Sequence, residues 1–294
     1  MKALISLSLL LAFSAQARTL QIKVIDVLEP TEGEKSHIVL AGNGQVYEVP
    51  SQDAKLVSSV KVAQKMKTKV AIEIDENSDF NDSIGGRSII EHVEITSNLK
   101  NMTGIKAEES RPFISPMNNY AVTELKSMEE AKKLFETMTP YTRRKSECFN
   151  RAYIWSMDLN KNFGVYAGKM WLYFTPKYLW KFRKHKWWFH VAPYFKVAGQ
   201  KEEIMFDREF DPHPKPYTEW KSDYILNNYK CPHVEKYSDY DQHQDEHDCF
   251  IMKSSAYYWE PGDLEALEAE GVERKGFDKE IYGEAYNQAI SRWF

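Results

Sequence analysis

The chain has 294 residues, 39 Lys and Arg against 43 Asp and Glu, a formal net charge of −4 and 14% aromatic residues. That length fits one large domain or two modest ones, and the tyrosine-rich aromatic content argues against a disordered chain. The near-balanced charge gives no global case for nucleic-acid binding.

Residues 1–17 read as an export signal. Lys2 supplies a positive start, residues 3–13 are apolar, and Ser14-Ala15-Gln16-Ala17 ends in a small-x-small pattern before Arg18. The apolar run is shorter than the roughly 20 residues a membrane span takes. No later stretch is long and apolar enough to span. A soluble monomer, secreted or periplasmic, is expected.

Residues 19–98 read as strands over 20–25, 36–40, 45–49, 69–74 and 89–95, with Ala41-Gly42-Asn43-Gly44 as a hairpin signal. A small all-β, barrel-like domain is expected over 18–98, with His37 and His92 as ordinary strand residues. Gly104, Pro112 and Pro116 mark a linker over 99–122. Ser127 and Glu130 then form a capping box for a helix that Thr139-Pro140 stops. Phe149, Ala152, Tyr153 and Ile154 share one face of a second helix over about 147–158, with Gly164 beyond its end. Strands follow over 169–174, 187–195 and 202–210, the last two joined by a tight turn at Ala198-Gly199-Gln200. Gly262-Asp263 precedes a short helix, and 278–292 reads as a final one.

Three cysteines in an exported chain leave one over. Cys231 and Cys249 can close a disulfide loop, and Cys148 is then a free thiol, either reactive or buried and inert. Zinc is the rival reading for the pair, because Cys231-Pro232-His233 and His243-x-x-x-His247-Asp248-Cys249 hold thiolates and imidazoles, with His243 and His247 on one helical face. The spacing fits no common zinc finger, and oxidising export favours the disulfide, so no metal is expected. The basic run 181–186 beside Trp180 and Trp187 can bind nucleic acid in principle. A solvated loop, or a rim attracting an acidic protein substrate, is preferred for it.

Cys148 falls at the start of its helix, where unpaired N–H groups and a partial positive charge favour the thiolate and an oxyanion on bound substrate. His190 lies in an apolar strand. If the hairpin turn centres on Gly199-Gln200, Ala192 faces Asp207, and His190 is a diagonal neighbour of Asp207 at roughly 7–8 Å by Cα. An acid there can orient the imidazole.

Three blocks, Glu147-Cys148-Phe149-Asn150-Arg151-Ala152, Trp188-Phe189-His190-Val191-Ala192 and Ile204-Met205-Phe206-Asp207, resemble those of bacterial protein-glutamine glutaminases. Their order is also similar to the wider transglutaminase-like and papain-like cysteine enzymes. Pro216-Tyr217-Thr218-Glu219-Trp220 and Tyr257-Tyr258-Trp259-Glu260-Pro261 resemble further aromatic segments of that family. The resemblance covers roughly 140–265. It implies an α+β catalytic domain over 123–294, with an antiparallel sheet and an N-terminal catalytic helix. It further implies deamidation of glutamine side chains exposed on proteins or peptides, with no cofactor. By matching block, Cys148 is nucleophile, His190 general acid/base and Asp207 its orienting acid, with Trp188 and Trp220 as substrate-binding candidates. Where the family tends to have an Asp-Pro-Ser turn, this chain has Asp207-Arg208-Glu209-Phe210-Asp211-Pro212, so Asp211 is the alternative acid. A cysteine peptidase or a transglutaminase on the same residues, and a non-catalytic binding module, remain as rival expectations. The β-domain, placed before the catalytic block, is a candidate pro-region.

Overall fold

A computed structural model of the chain describes residues 18–75, 86–95, 121–140, 147–225, 229–271 and 274–291. The expected signal 1–17 and nearly all of the expected linker 99–122 lie outside them.

The first part is a closed barrel. Strands β1 (Arg18–Leu28), β2 (Ser36–Ala41), β3 (Val46–Pro50), β4 (Lys69–Ile74) and β5 (Ser88–Glu94) close in the order β1-β2-β3-β5-β4. Alternate residues such as Leu20, Ile22 and Val24 on β1 point into its core with Val39, Val49, Val70 and Ile72. The expectation of an all-β unit is corrected by helix α1 (Ala54–Met66), which packs Leu56, Val60 and Ala63 into the barrel core. Asp53 caps it by accepting from the Leu56 N–H at 2.9 Å, and Lys67 ends it in the left-handed region at φ 51°. Those three apolar residues are spaced for one helical stripe, but interleaved Lys, Ser and Gln make the stripe thin.

The second part is a mixed α+β unit built on one sheet. Its path is β10 (Lys215–Pro216), β9 (Ile204–Met205), β8 (Phe189–Val197), β7 (Gly168–Phe174), β12 (Cys249–Ser255) and β11 (His233–Val234), and β6 (Glu124–Leu125) pairs with β8. Helix α2 (Met128–Thr137) starts where the Ser127 hydroxyl accepts from Glu130 N–H at 3.2 Å, while Glu130 reaches back to Lys126 N–H at 2.6 Å. Helix α3 (Cys148–Phe163) runs longer than the sequence pattern implies and ends at Gly164, φ 69°. Short helices α4 (Pro176–Lys181), α5 (Tyr217–Tyr224) and α6 (Tyr237–His243) decorate the sheet, and α7 (Pro261–Glu270) and α8 (Lys279–Ser291) complete the chain. Packing on α3, β7 and β8 forms an aromatic-rich core through Phe149, Tyr153, Trp171, Tyr173 and Phe189.

The predicted hairpin has the expected register: Tyr194 pairs with Met205 and Phe195 with Ile204, and Gly199 turns at φ 78°. Continuing that register sets Ala192 opposite Asp207. The second strand is much shorter than 202–210, because Asp207 opens a helical turn whose carbonyl accepts from Phe210 and Asp211 N–H at 3.1 and 2.9 Å.

Cys231 and Cys249 form a disulfide. It ties the start of β12 to the chain ahead of β11 across a sequence separation of 18. Both thiols are thereby consumed. His243 ends α6 and contacts Glu246 at 2.9 Å, and His247 lies past the helix, so the shared helical face expected for a zinc pair does not form. Replacing both cysteines by serine is expected to cost about 3 kcal/mol from loop entropy, read as a lowered Tm. A double variant that melts with the wild type would overturn this.

Two of the seams where the barrel meets the second part are made by hydrogen bonds to its backbone. The β2–β3 hairpin tip adds a short antiparallel bridge, Gln45 to Trp187, with Val46 N–H to Lys186 O at 2.6 Å and Trp188 N–H to Gly44 O at 3.0 Å. The Trp188 indole also donates to Ala41 O at 2.7 Å. A side chain at position 44 would meet the Phe189 ring at 3.2 Å, and φ there is 82°, so glycine suits the tip twice over. At the second seam Arg87 donates to the carbonyls of His185 (2.9 Å), Leu179 (2.5 Å) and Phe182 (3.4 Å). The run 181–186 is therefore only in part the solvated loop expected: Lys181, Arg183 and Lys184 are exposed. It holds the end of α4 and a turn in which His185 and Lys186 are buried.

Candidate active site

Cys148 is the first residue of α3 and half-buried. His190 sits on β8, wholly buried, and Leu172 of β7 is its partner across the sheet. Asp207 follows β9. The imidazole Nε2 and Asp207 Oδ2 are 2.6 Å apart. The thiol of Cys148 interacts with the same ring, whose Nδ1 makes no hydrogen bond of ordinary geometry, so this contact is the looser of the two. Such looseness is usual before substrate binds.

Two aromatic donors complete the shell of the acid. Asp207 Oδ2 also accepts from Trp220 Nε1 at 3.0 Å and from the Tyr224 hydroxyl at 2.9 Å. Trp220 and Tyr224 lie one turn apart on α5, on one face. Both rings pack on the imidazole, at centroid distances of 5.6 and 4.3 Å. Trp187 covers another side of it at 5.2 Å. Burial works against an imidazolium, but the Asp207 carboxylate and the nearby thiol outweigh it and raise the His190 pKa to about 9. Burial likewise opposes charge on Asp207, yet the imidazolium, the indole N–H and the Arg151 guanidinium hold its carboxyl below the usual range.

Several expected site residues stand elsewhere. Asp211, the alternative acid, does not bond His190; its carboxylate pairs with Lys215 at 2.5 Å. Burial and the Asp207 charge push it up to about 7. Trp220, read as a substrate contact, is wholly buried and holds Asp207 instead. Trp188 is buried too, with its indole and backbone N–H both engaged by the barrel hairpin. Arg151, one turn along α3 from Cys148 and stacked on Phe210 at 5.3 Å, and Tyr224 are site residues the sequence reading missed. Their helical spacing from Cys148 and Trp220 is the signal that points to them.

Beside the start of α3 a cavity of about 500 Å³ opens between barrel and sheet unit. Lys23, Asn43 and Lys69 line it from the barrel, and Glu147, Phe149 and Trp259 from the other side. Glu147 and Phe149 flank Cys148 in sequence, but Cys148 itself is not among the residues that line the space.

A family model described as glutaminase matches residues 123–224. That stretch begins just ahead of β6 and ends with α5, enclosing Cys148, His190, Asp207, Trp220 and Tyr224.

Residues 123–224 are a glutaminase-family segment.

A comparison with curated proteins found no match. Among solved structures, this chain is similar to a crystal structure of the A47Q2 mutant of pro- protein-glutaminase, at 14% identity and TM-score 0.53 over 94% of each chain. It is similar also to pro- protein-glutaminase itself, at 13% identity and TM-score 0.52 over 93% of each chain. At these identities the likeness is one of fold, and it extends over the barrel as well as the glutaminase-family segment.

Proposed function

We propose that the chain is an exported deamidase of protein glutamine residues. The observation that carries this reading is the line of Cys148, His190 and Asp207 inside the glutaminase-family segment. In the proposed reaction the Cys148 thiolate attacks the carboxamide carbon of a substrate glutamine. The negative charge that forms on oxygen faces the first turn of α3, where no side chain caps the helix. The imidazolium of His190 gives its proton to the departing nitrogen, the C–N bond breaks and ammonia leaves, and the acyl carbon stays on sulfur as a thioester. His190 then takes a proton from water, hydroxide attacks the thioester carbon, the C–S bond breaks to release glutamate, and the thiolate and imidazolium are restored. Asp207 holds the ring so that Nδ1 faces sulfur, and stabilises the imidazolium. Export accords with the disulfide, since such bonds persist in oxidising compartments.

Mass spectrometry of a glutamine-rich protein treated with the chain, together with an ammonia assay, tests the reading. One-dalton gains at glutamine with matching ammonia are expected. Peptide-bond cleavage without ammonia would indicate a cysteine peptidase, lysine–glutamine crosslinks a transglutaminase, and none of these a binding module.

In the same reading the barrel is a pro-region. Its hairpin occupies the backbone of residues 186–188, two positions ahead of His190, and Arg87 clamps the turn behind it. The neighbouring structures of like fold are pro- forms by their names. Limited proteolysis within residues 96–120 is expected to raise the ammonia-release rate several-fold as the barrel departs. Equal rates before and after cutting, with the barrel shown to separate, would count against masking.

A further inference from the structure

Glu147 occupies the N-cap of α3 with an extended backbone, φ −74° and ψ 144°, yet its side chain does not cap the helix. A carboxylate in that position is drawn to the first-turn N–H groups and the positive helix end. Here its Oε2 instead accepts from Asn150 Nδ2 at 2.8 Å. Asn150 is wholly buried at the third helical position. Its Nδ2 also donates to Gln288 Oε1 at 3.1 Å, and its Oδ1 accepts from Trp259 Nε1 at 2.8 Å. The amide orientation is thus fixed from both ends, since an indole can only donate. Trp259 packs on Phe149 at 5.8 Å, and the carbonyl of the preceding residue, Tyr258, accepts from the buried Lys169 ammonium.

We propose that Asn150 is a positioning residue that holds the Glu147 carboxylate off the first turn of α3, leaving those N–H groups to the Cys148 thiolate and to the substrate oxyanion. A carboxylate turned onto that turn acts twice against the chemistry. It takes up donors the oxyanion needs, and it sets a like charge beside the thiolate. The oxyanion half rests on the deamidase reading; the thiolate half does not.

The test uses the full chain with Asn150→Ala, alone and combined with Glu147→Ala. Two quantities are read: kcat and KM for ammonia release, and the rate of Cys148 alkylation by iodoacetamide across a pH series. Loss of first-turn donors in Asn150→Ala is expected to lower kcat roughly 10- to 100-fold with KM little changed. The alkylation profile is expected to move to higher pH, because the thiolate is less favoured. Adding Glu147→Ala should return most of both, since no carboxylate is left to swing inward. A residue that merely packs predicts the opposite, a double variant no better than the single one, and that result overturns the proposal. So does an unshifted alkylation profile in a folded single variant. If Asn150→Ala does not fold, Trp259→Phe frees the amide more gently and should show a smaller loss with the same rescue by Glu147→Ala; no rescue overturns the proposal there too. Absence of ammonia release from the wild type counts against the deamidase reading alone, and the alkylation profiles still decide the role of Asn150.

Discussion

Cys148→Ala is expected to lower ammonia release by on the order of 10⁴-fold or more, the scale seen when an enzyme loses its nucleophile. Nothing else in the site can take its place. Among the described residues Cys148 is the one free thiol, and the other two cysteines are joined at the far end of the sheet. The half-buried side chain loses one sulfur, so the fold and the affinity for a glutamine peptide should stay close to wild type. Measured kcat, Tm and peptide affinity together separate lost chemistry from lost structure. A variant within tenfold of the wild-type rate would remove Cys148 from the mechanism.

Asp207→Asn is expected to cost roughly 10³- to 10⁴-fold in kcat, because the imidazole loses the partner that fixes its tautomer and supports its charge. The substitution keeps the size of the side chain and leaves an oxygen for Trp220 or Tyr224. A pH signature accompanies the loss. The His190 pKa is raised in the folded chain to about 9, so the stability that its protonated ring contributes is complete below about 6.5 and lost as pH rises through 9. The wild type should therefore lose stability between those limits, and Asp207→Asn should show a flatter curve there. On the acid side Asp207 is held below the usual carboxylate range, so its contribution is present above about 4 and lost as pH falls further. Identical stability curves for the two proteins across the window 6.5 to 9 would contradict the pairing.

Local signals in the sequence explain which parts were legible. The hairpin register followed from one glycine turn, and a period of two then set Ala192 opposite Asp207. The start of α3 was visible because Phe149, Ala152 and Tyr153 fall on one stripe. Helix α1 was not, because its apolar stripe of Leu56, Val60 and Ala63 is only three residues deep. Trp220 was misread for a different reason. Its aromatic segment is recognisable, but whether an indole faces substrate or a buried acid depends on how α5 folds back over β8, which is a tertiary matter. The buried turn at His185 and Lys186 was hidden likewise, since its carbonyls are satisfied by Arg87 from a different part of the chain.

The seam between the Gly44 tip and Trp188 has a thermodynamic consequence if the barrel is a pro-region. The described residues leave the barrel at 95 and resume at 121, so the two parts belong to one covalent chain. Covalent linkage makes such a contact intramolecular, with an effective concentration that can reach about millimolar, however dilute the protein. The contact, which sets Ile38, Leu40 and Val46 of the barrel into the core of the second part beside the hydrogen bonds and Arg87, then stays closed while the chain is whole. Cutting the linkage changes none of those contacts. It lets the barrel dilute to the bulk concentration, about a thousandfold lower for a micromolar protein. On that arithmetic the device is switched by mass action, with no need for the glutaminase-family segment to change shape.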